Sequence, residues 1–435
     1  MGNDSKMSFG KKTVRDVRLT GKTVLVSVDY NLPGDDKGHI TNGYRLQASL
    51  PTLEFLLEHD CRVILISHRG RPKGKPIAQY SLKPVVALLE RLLKRDVQFA
   101  ADCIGETATA AKQQLKPGQI LLLENTRFHV GEEANDVGFA KQLATGADVF
   151  VQDAFGNAHR KHASTDGVAR LLPAVAGLLL EREVNAINDV MQNPKRPLMA
   201  IIGGAKISDK MAVLNRLIDV ADFVAIGGAM ANTFLLAEGI DIGKSLTESE
   251  DVPLAKHILE RAQAKAKRQP FVFYLPQDGV VAKKLTKTAA TRIVDWGANV
   301  VADIEHYPKQ PPRSASRISH DELILDIGPF SGAFVAGAMQ LANTVIWNGT
   351  LGITETPSVN GPVGPFAHGT ELIIEAMTGQ FGHRPFSLVG GGDTVGYIES
   401  RGETKFFDHV STGGGASLQL MSGRPLPAVE ALQNK

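Results

Sequence analysis

The chain has 435 residues, too many for one ordinary hydrophobic core, and length alone suggests roughly two to three domains. With 43% apolar and 22% charged residues it has the composition of a soluble globular protein, not a disordered one. Its 48 basic and 46 acidic side chains leave a net charge of +2, which excludes bulk attraction to nucleic acid or anionic membrane. Any anion site must come from local placement. Two cysteines, Cys61 and Cys103, can build neither a disulfide framework nor a CxxC clip, and point to a reducing compartment. The opening MGNDSKMSFGKK lacks the apolar core of a secretory signal. The longest apolar stretch, Leu171–Leu180, contains Pro173 and is far too short to span a bilayer. A cytoplasmic protein is expected. The 43 glycines are about a tenth of the chain, against a typical ~7%, and they are clustered.

In chain order, short aliphatic and β-branched runs predict strands at Thr23–Val28, Arg62–Ser67, Ile120–Leu123 and Asp148–Val151. Between them, Ser81–Lys94 carries Leu82, Val85, Val86, Leu89, Leu92 and Leu93 at helical spacing. Leu180, Val184, Ile187 and Met191 mark one face of a further helix, which Asn193–Pro194 and Pro197 terminate. The second half predicts strands at Leu198–Ile202, Phe223–Ile226, Phe271–Leu275, Leu323–Ile327, Thr344–Trp347 and Ser387–Val389. Strands separated by helices imply βαβ units with a mostly parallel sheet in each half. The expected fold class is α/β: two doubly wound domains, residues 1–180 and 197 onward, joined by a connecting helix and hinge at 181–196.

Ligands of open α/β sheets sit outside the carboxyl ends of the strands. After first-half strands come polar and charged groups: Asp29-Tyr30-Asn31, Ser67-His68-Arg69-Gly70-Arg71, Glu124-Asn125-Thr126-Arg127, and Asp153 through His162. Arg45, after a turn-rich segment, joins this set. Guanidinium groups bind phosphate and carboxylate oxygens through paired hydrogen bonds, so this edge suits a small, highly anionic ligand.

After second-half strands come glycines: Gly203-Gly204-Ala205-Lys206, Gly227-Gly228-Ala229, Asp326-Ile327-Gly328, Asn348-Gly349, and Gly390-Gly391-Gly392-Asp393-Thr394. Glycine lets backbone N–H groups approach phosphate oxygens, and a helix N-terminus adds a favourable dipole. Ser208 reads as the N-cap of a helix whose buried stripe is Met211, Leu214, Leu217, Ile218 and Ala221. That puts Lys206 in a glycine loop and Lys210 in the first helical turn, where a cation opposes the dipole unless an anion is present.

Other motifs are weak. His159 and His162 lack the glutamate of HExxH, Gly239–Ser245 is one residue short of a Walker A loop, and no GxGxxG follows the first strand. One edge for a small polyanion and one for a nucleotide describe a hinge-closing phosphotransferase.

Seven motifs carry a resemblance to a known family. VSVDYNLP, SHRGRPKG, LLENTRFH, QDAFGNAHRKHAST, GGAKISDK, LVGGGDT and DHVSTGGGASL occur in the order and spacing of the phosphoglycerate kinases, from about Val14 to Leu432. The resemblance implies reversible transfer of the acyl phosphate of 1,3-bisphosphoglycerate to MgADP, giving 3-phosphoglycerate and MgATP. It implies a triose site of Asp29, Tyr30, Asn31, Arg45, His68, Arg69, Gly70, Arg71, Arg127 and Arg160, with His159 and His162 at its periphery. It implies a nucleotide site of Lys206, Lys210, Glu355, Gly391, Gly392, Asp393 and Thr394. Within these, Glu355 would hold the ribose hydroxyls and Asp393 the Mg²⁺. Arg45, Lys206 and Gly391 would act on the transferring phosphoryl group. It also implies that residues 197–406 form the nucleotide domain, that 407–435 return to the N-terminal domain, and that the enzyme is a monomer without nucleic-acid or membrane partners.

The chain departs from the family pattern at several points. Ser27 stands for the arginine of VRVDFN, Ala229 for a glycine of the GGGMA loop, and Thr350 for the proline of WNGPVG. Asp278-Gly279 lacks a bulky residue after the aspartate, and Glu355–Phe366 is lengthened and contains a second Asn-Gly-Pro-Val-Gly, Asn360–Gly364. Two other readings compete. A two-domain dehydrogenase needs an early glycine fingerprint, which is absent. A non-catalytic nucleotide- and anion-binding descendant would have lost Arg45, Lys206 or Asp393, and all are present.

Overall fold

The computed structural model describes residues 9–32, 34, 40, 43–297, 317–359 and 361–435; Asn360 of the second Asn-Gly-Pro-Val-Gly lies outside them. The chain forms two compact units. One holds the described residues up to Asp189 with Thr412–Leu420 and Arg424–Lys435, the other Val190–Ser411 with Met421–Gly423.

The first unit is built on β1 (Thr23–Ser27), β2 (Arg62–Ile66), β3 (Val97–Ala100), β4 (Ile120–Leu123), β5 (Val149–Gln152) and β6 (Ala174–Ala176). They form one sheet in the order β3-β4-β2-β1-β5-β6, parallel throughout. Strands β1, β2 and β4 are near-continuous aliphatic runs because helices cover both faces of a parallel sheet. The sequence reading missed β3 and β6: Gln98 interrupts one, and Ala174-Val175-Ala176 has a single β-branched residue. The helix expected at Ser81–Lys94 spans Lys83–Leu93, with Pro84 in its first turn, Lys94 left-handed at its end, and Val85 and Leu89 buried. The C-terminal return is tied by backbone: Lys12 N donates to Gln433 O at 2.8 Å and Lys435 N to Gly10 O at 3.0 Å.

The helix expected as the connector spans Leu178–Gln192. Its first turn is capped by buried Asp153, whose Oδ1 accepts from Leu179 N at 3.0 Å and Leu180 N at 3.1 Å. Glu183, buried on this helix, accepts from Thr412 N and Oγ1 at 2.6 and 2.7 Å, so the returning segment is held by a carboxylate.

The second unit contributes β7 (Leu198–Ile202), β8 (Phe223–Ile226), β9 (Val272–Tyr274), β10 (Asp278–Ala282), β11 (Thr291–Asp295), β12 (Leu323–Ile327), β13 (Thr344–Asn348), β14 (Phe386–Gly390) and β15 (His409–Val410). A parallel six-stranded sheet runs β15-β14-β13-β7-β8-β9. Leu323–Ile327, expected in that sheet, is instead the edge of a small antiparallel sheet, β11-β10-β12. Its apolar run made it a strand; its partner was a non-local choice.

Strand order reverses between β1 and β5 in the first sheet and between β13 and β7 in the second. These are the switch points where crevices open at the carboxyl ends of parallel strands.

Candidate active site

In the first unit, the residues after β1, β2, β4 and β5 meet at one sheet edge. Arg45, in the first turn of the helix Tyr44–Glu58, donates Nη1 to Asp29 Oδ2 at 3.0 Å and to Asn31 O at 3.3 Å. Asn31 Oδ1 accepts from Gly70 N at 2.8 Å, joining the ends of β1 and β2. Arg127, only 3% exposed, donates Nη1 to Gly70 O at 2.8 Å and pairs through Nε with Glu133 at 3.2 Å. Gly70 has φ +64°, and a Cβ there would collide with the Tyr80 ring. Arg160 donates Nε to His159 Nε2 at 3.1 Å, while Arg71 is exposed.

Two residues of the expected set face away from this edge. The Tyr30 ring is fully buried, with its hydroxyl 3.1 Å from Ser49 Oγ, so only its backbone lies at the strand end. Arg69 is buried and donates to Ser81 O at 3.0 Å.

His68 is the most informative side chain. It is buried, its Nδ1 lies 3.3 Å from Asn157 Nδ2, and its Nε2 has no hydrogen-bond partner among the described residues. Burial, then the fields of Arg127 and Arg160, hold its pKa well below the ordinary value, so the ring is neutral. An amide donor on Nδ1 leaves the proton on Nε2, a buried N–H awaiting an acceptor. Burial and Arg127 likewise lower His162 to about 4, and burial and Arg160 lower His159. The positive charge of the edge is therefore carried by Arg45, Arg71, Arg127 and Arg160, whose mutual repulsion a polyanion would relieve.

In the second unit, the loops after β7, β8 and β13 touch backbone to backbone. Gly203 N donates to Asn348 O at 3.0 Å, Gly204 N to Thr350 O at 3.2 Å and Gly228 N to Leu351 O at 3.1 Å. Gly228 has φ +65°, and a Cβ there would lie 2.5 Å from Gly204 N. This contact, before any ligand, already requires glycine. Thr394 Oγ1 accepts from Gly349 N at 2.8 Å, and Gly391 (φ +97°) opens the helix Gly392–Ser400, whose first turn carries exposed Asp393. The buried Asn348 Nδ2 has no partner among the described residues and, like His68 Nε2, is an unsatisfied donor at a strand end.

The two lysines differ sharply. Lys210 Nζ donates to Gly203 O at 2.6 Å, Asn348 Oδ1 at 2.8 Å and Asn348 O at 3.0 Å, which uses all three ammonium protons. Burial lowers its pKa to about 8, against the opposing pull of Asp393 and Asp209. Lys206 is 60% exposed and lies 3.5 Å from Glu248 Oε1. The local helix also corrects the sequence reading. Ser208–Lys210 is a 3₁₀ turn, the α-helix is Met211–Val220 with Lys210 at its N-cap, and Ser208 Oγ faces Glu248 without capping. Glu248 competes for both Ser208 and Ile207 N. Met211 is exposed, whereas Leu214, Leu217, Ile218 and Ala221 are buried as expected.

A cavity adjoins these loops. Its lining includes the polar or charged Thr350, Glu355 and Asp393, the apolar Leu235, Leu246, Leu351 and Trp296, and the small residues Gly204 and Ala229. Trp296 was not singled out from the sequence. Its Nε1 donates to Pro276 O at 2.7 Å, and the ring lies where a side chain at Gly279 would project. The missing bulky residue at 279 was the legible signal. Asp278 and Asp326 also line the cavity, but both are caps. Asp278 accepts from Ser331 N at 2.8 Å, and Asp326 from Gly369 N at 2.9 Å, with burial raising Asp326 to about 8.

One edge crowded with guanidinium groups, and another of glycine loops beside an apolar cavity, are the equipment of a two-domain phosphotransferase. Comparison with known proteins narrows that class. The phosphoglycerate kinase family model matches residues 14–424. Phosphoglycerate kinases of Chloroflexus aurantiacus and Moorella thermoacetica are each 46% identical, over 98% of this chain and all of theirs. Solved structures of phosphoglycerate kinases from Coxiella burnetii and Pyrococcus horikoshii superpose with TM-scores of 0.76 and 0.79, at 35% and 28% identity. Each superposition covers 97% of this chain and 98% of the other. The chain belongs to the phosphoglycerate kinase family.

Proposed function

We propose that this kinase transfers the acyl phosphate of 1,3-bisphosphoglycerate to ADP, reversibly, through triose binding in the first unit and nucleotide binding in the second. The family match over residues 14–424 carries the reading. The attacking atom is an oxygen of the ADP β-phosphate, the P–O bond to the acyl oxygen breaks, and 3-phosphoglycerate leaves as a carboxylate. No proton has to be removed, which agrees with three histidines that burial and arginine fields hold neutral.

Arg71, Arg127 and Arg160 would pair with triose phosphate and carboxylate oxygens, and His68 Nε2–H would donate to one of them. Asp29, paired with Arg45, and Asn31, bonded to Gly70 N, support that geometry. Gly391 and Gly392 would present backbone groups to nucleotide phosphates, with buried Thr394 bracing the neighbouring loop through Gly349 N, and Glu355 would accept from the ribose hydroxyls. Lys210 holds two glycine loops in register, and the exposed Lys206 is free to meet charge on the transferring oxygens.

Exposed Asp393, an oxygen donor in the cavity wall, suits the hard cation Mg²⁺ bound with nucleotide phosphates. Mg²⁺ would neutralise phosphate charge there. Reacting atoms must come within about 3–3.5 Å of each other, and a hinge at 181–196 would set that approach while water is kept from the acyl phosphate. No described helix is long and apolar enough to cross a membrane, and the two buried free thiols suit a reducing cytoplasm. We take the enzyme to work there as a monomer. A coupled assay for ATP formation from 1,3-bisphosphoglycerate and ADP tests the reading; nucleotide binding without ATP formation would make the chain a binder only.

A further inference from the structure

One cluster at the carboxyl edge of the first sheet is unused by this chemistry. Asp102 and Cys103 follow β3, and His129 follows the turn after β4, so two neighbouring strand ends deliver them to one point. Among the described residues, their ligand atoms form a group lying within 4.8 Å of one another. His129 Nε2 is 2.6 Å from Asp102 Oδ1. Cys103 is fully buried, while the His129 and Asp102 side chains are 30% and 43% exposed. The thiol is buried, and the imidazole and carboxylate beside it are both reached by solvent.

We propose that Cys103 Sγ, His129 Nε2 and Asp102 Oδ1 form a binding site for a thiophilic divalent cation of the Zn²⁺ class, with water completing a tetrahedron. Sulfur, imidazole and carboxylate are the donor set of Zn²⁺, and thiolate rules against Mg²⁺ and Ca²⁺, which take oxygen ligands. The present spacing needs only short shifts. Ligand atoms about 2.0–2.3 Å from one ion lie about 3–4 Å apart, so the ion replaces the His129–Asp102 hydrogen bond and draws the three groups around itself. The Cys103 thiol proton leaves to buffer and its sulfur pair forms the metal bond; the proton that His129 Nε2 donates to Asp102 is exchanged through solvent, the ring keeping its N–H at Nδ1, which frees the Nε2 pair for the ion. Two negative ligands then balance the ion's charge. Lys112, the nearby cation, does not compete for these ligands, because its Nζ is held by the carbonyls of Leu143, Thr145 and Gln142. The site is distinct from the nucleotide-linked Mg²⁺ position at Asp393, which lies in the other unit.

The test is titration of the full-length protein, without nucleotide, with Co²⁺ followed by Zn²⁺. We expect a thiolate-to-cobalt charge-transfer band and tetrahedral d–d bands at one equivalent, both lost as Zn²⁺ displaces the cobalt. Cys61→Ser should leave the titration unchanged. Cys103→Ser should abolish the charge-transfer band. His129→Asn should weaken Zn²⁺ by at least about 10–100-fold, the range that loss of even a supporting outer partner costs. Excess Mg²⁺ should not compete. A wild-type spectrum without the thiolate band overturns the site, as does unchanged Zn²⁺ affinity in His129→Asn; the latter variant decides the matter even if Cys103→Ser misfolds.

Discussion

The indole of Trp296 fills the space that a side chain at position 279 would need: a Cβ on Gly279 would stand 2.6 Å from the ring. The two residues belong together, since the glycine of β10 admits the tryptophan that lines the cavity beside the glycine loops. Trp296 and Trp347 are the only tryptophans in the chain. ADP should therefore change the fluorescence of wild type and Trp347→Phe but not of Trp296→Phe. If the base stacks on the indole, Trp296→Ala should weaken ADP by about 1–3 kcal/mol, the range for a base on an aromatic ring. Unchanged affinity would place the base elsewhere.

Lys206 and Lys210 should separate in kinetics. Lys206, exposed and paired only loosely with Glu248, serves the transition state in the proposed mechanism. Lys206→Ala should lower kcat by roughly 10²–10³, the usual loss of one electrostatic donor, with ADP binding nearly intact. Lys210→Ala strands Gly203 O and Asn348 Oδ1, so it should lower stability by about 1–3 kcal/mol and weaken ADP. Steady-state kinetics, calorimetry and denaturant unfolding on both variants check this. A Lys206→Ala enzyme with high kcat and poor ADP affinity would reverse the assignment.

On the basic edge, Arg71 and Arg127 differ in burial. Arg71→Ala should weaken 3-phosphoglycerate with little effect on ADP or on folding, because the side chain is exposed. Arg127→Ala should also unfold more easily, since it removes the donor to Gly70 O and leaves Glu133 without its partner. Calorimetry with each ligand separately is the measurement; equal losses for both ligands would contradict the division of labour between units.

Histidine burial should show in the acid limb of stability. His162 titrates near 4 in the folded protein, against 6.5 ordinarily. Between those values the unfolded chain binds more protons, so stability falls as pH drops from about 6.5 to about 4 and is unaffected by this group above that window. His162→Asn should flatten the curve there by up to about 1.4 kcal/mol per pH unit, one proton's slope. Urea unfolding at stepped pH values checks it. An unchanged slope would mean the imidazole is charged in the folded state.

Much of this was legible without coordinates, because each signal was local. Aliphatic runs ending in Asp29, His68, Gly203 or Gly349 mark both a strand and its carboxyl end, and each of the two parallel sheets then gathers its own strand ends at one edge. What the sequence could not supply were choices between partners far apart in the chain. Leu323–Ile327 is a strand by its own pattern, yet its antiparallel pairing with β10 depends on which edge lies nearest after folding. Lys210 spends its protons on Gly203 and on Asn348, 138 residues away, and Glu248 draws Ser208 off the helix end that local propensity assigns it. Asp102, Cys103 and His129 meet only because β3 and β4 are neighbours. Local periodicity is written in adjacent residues. Which buried donor finds which acceptor is settled by the packing of the whole unit, where an unsatisfied polar group costs more than a broken local preference.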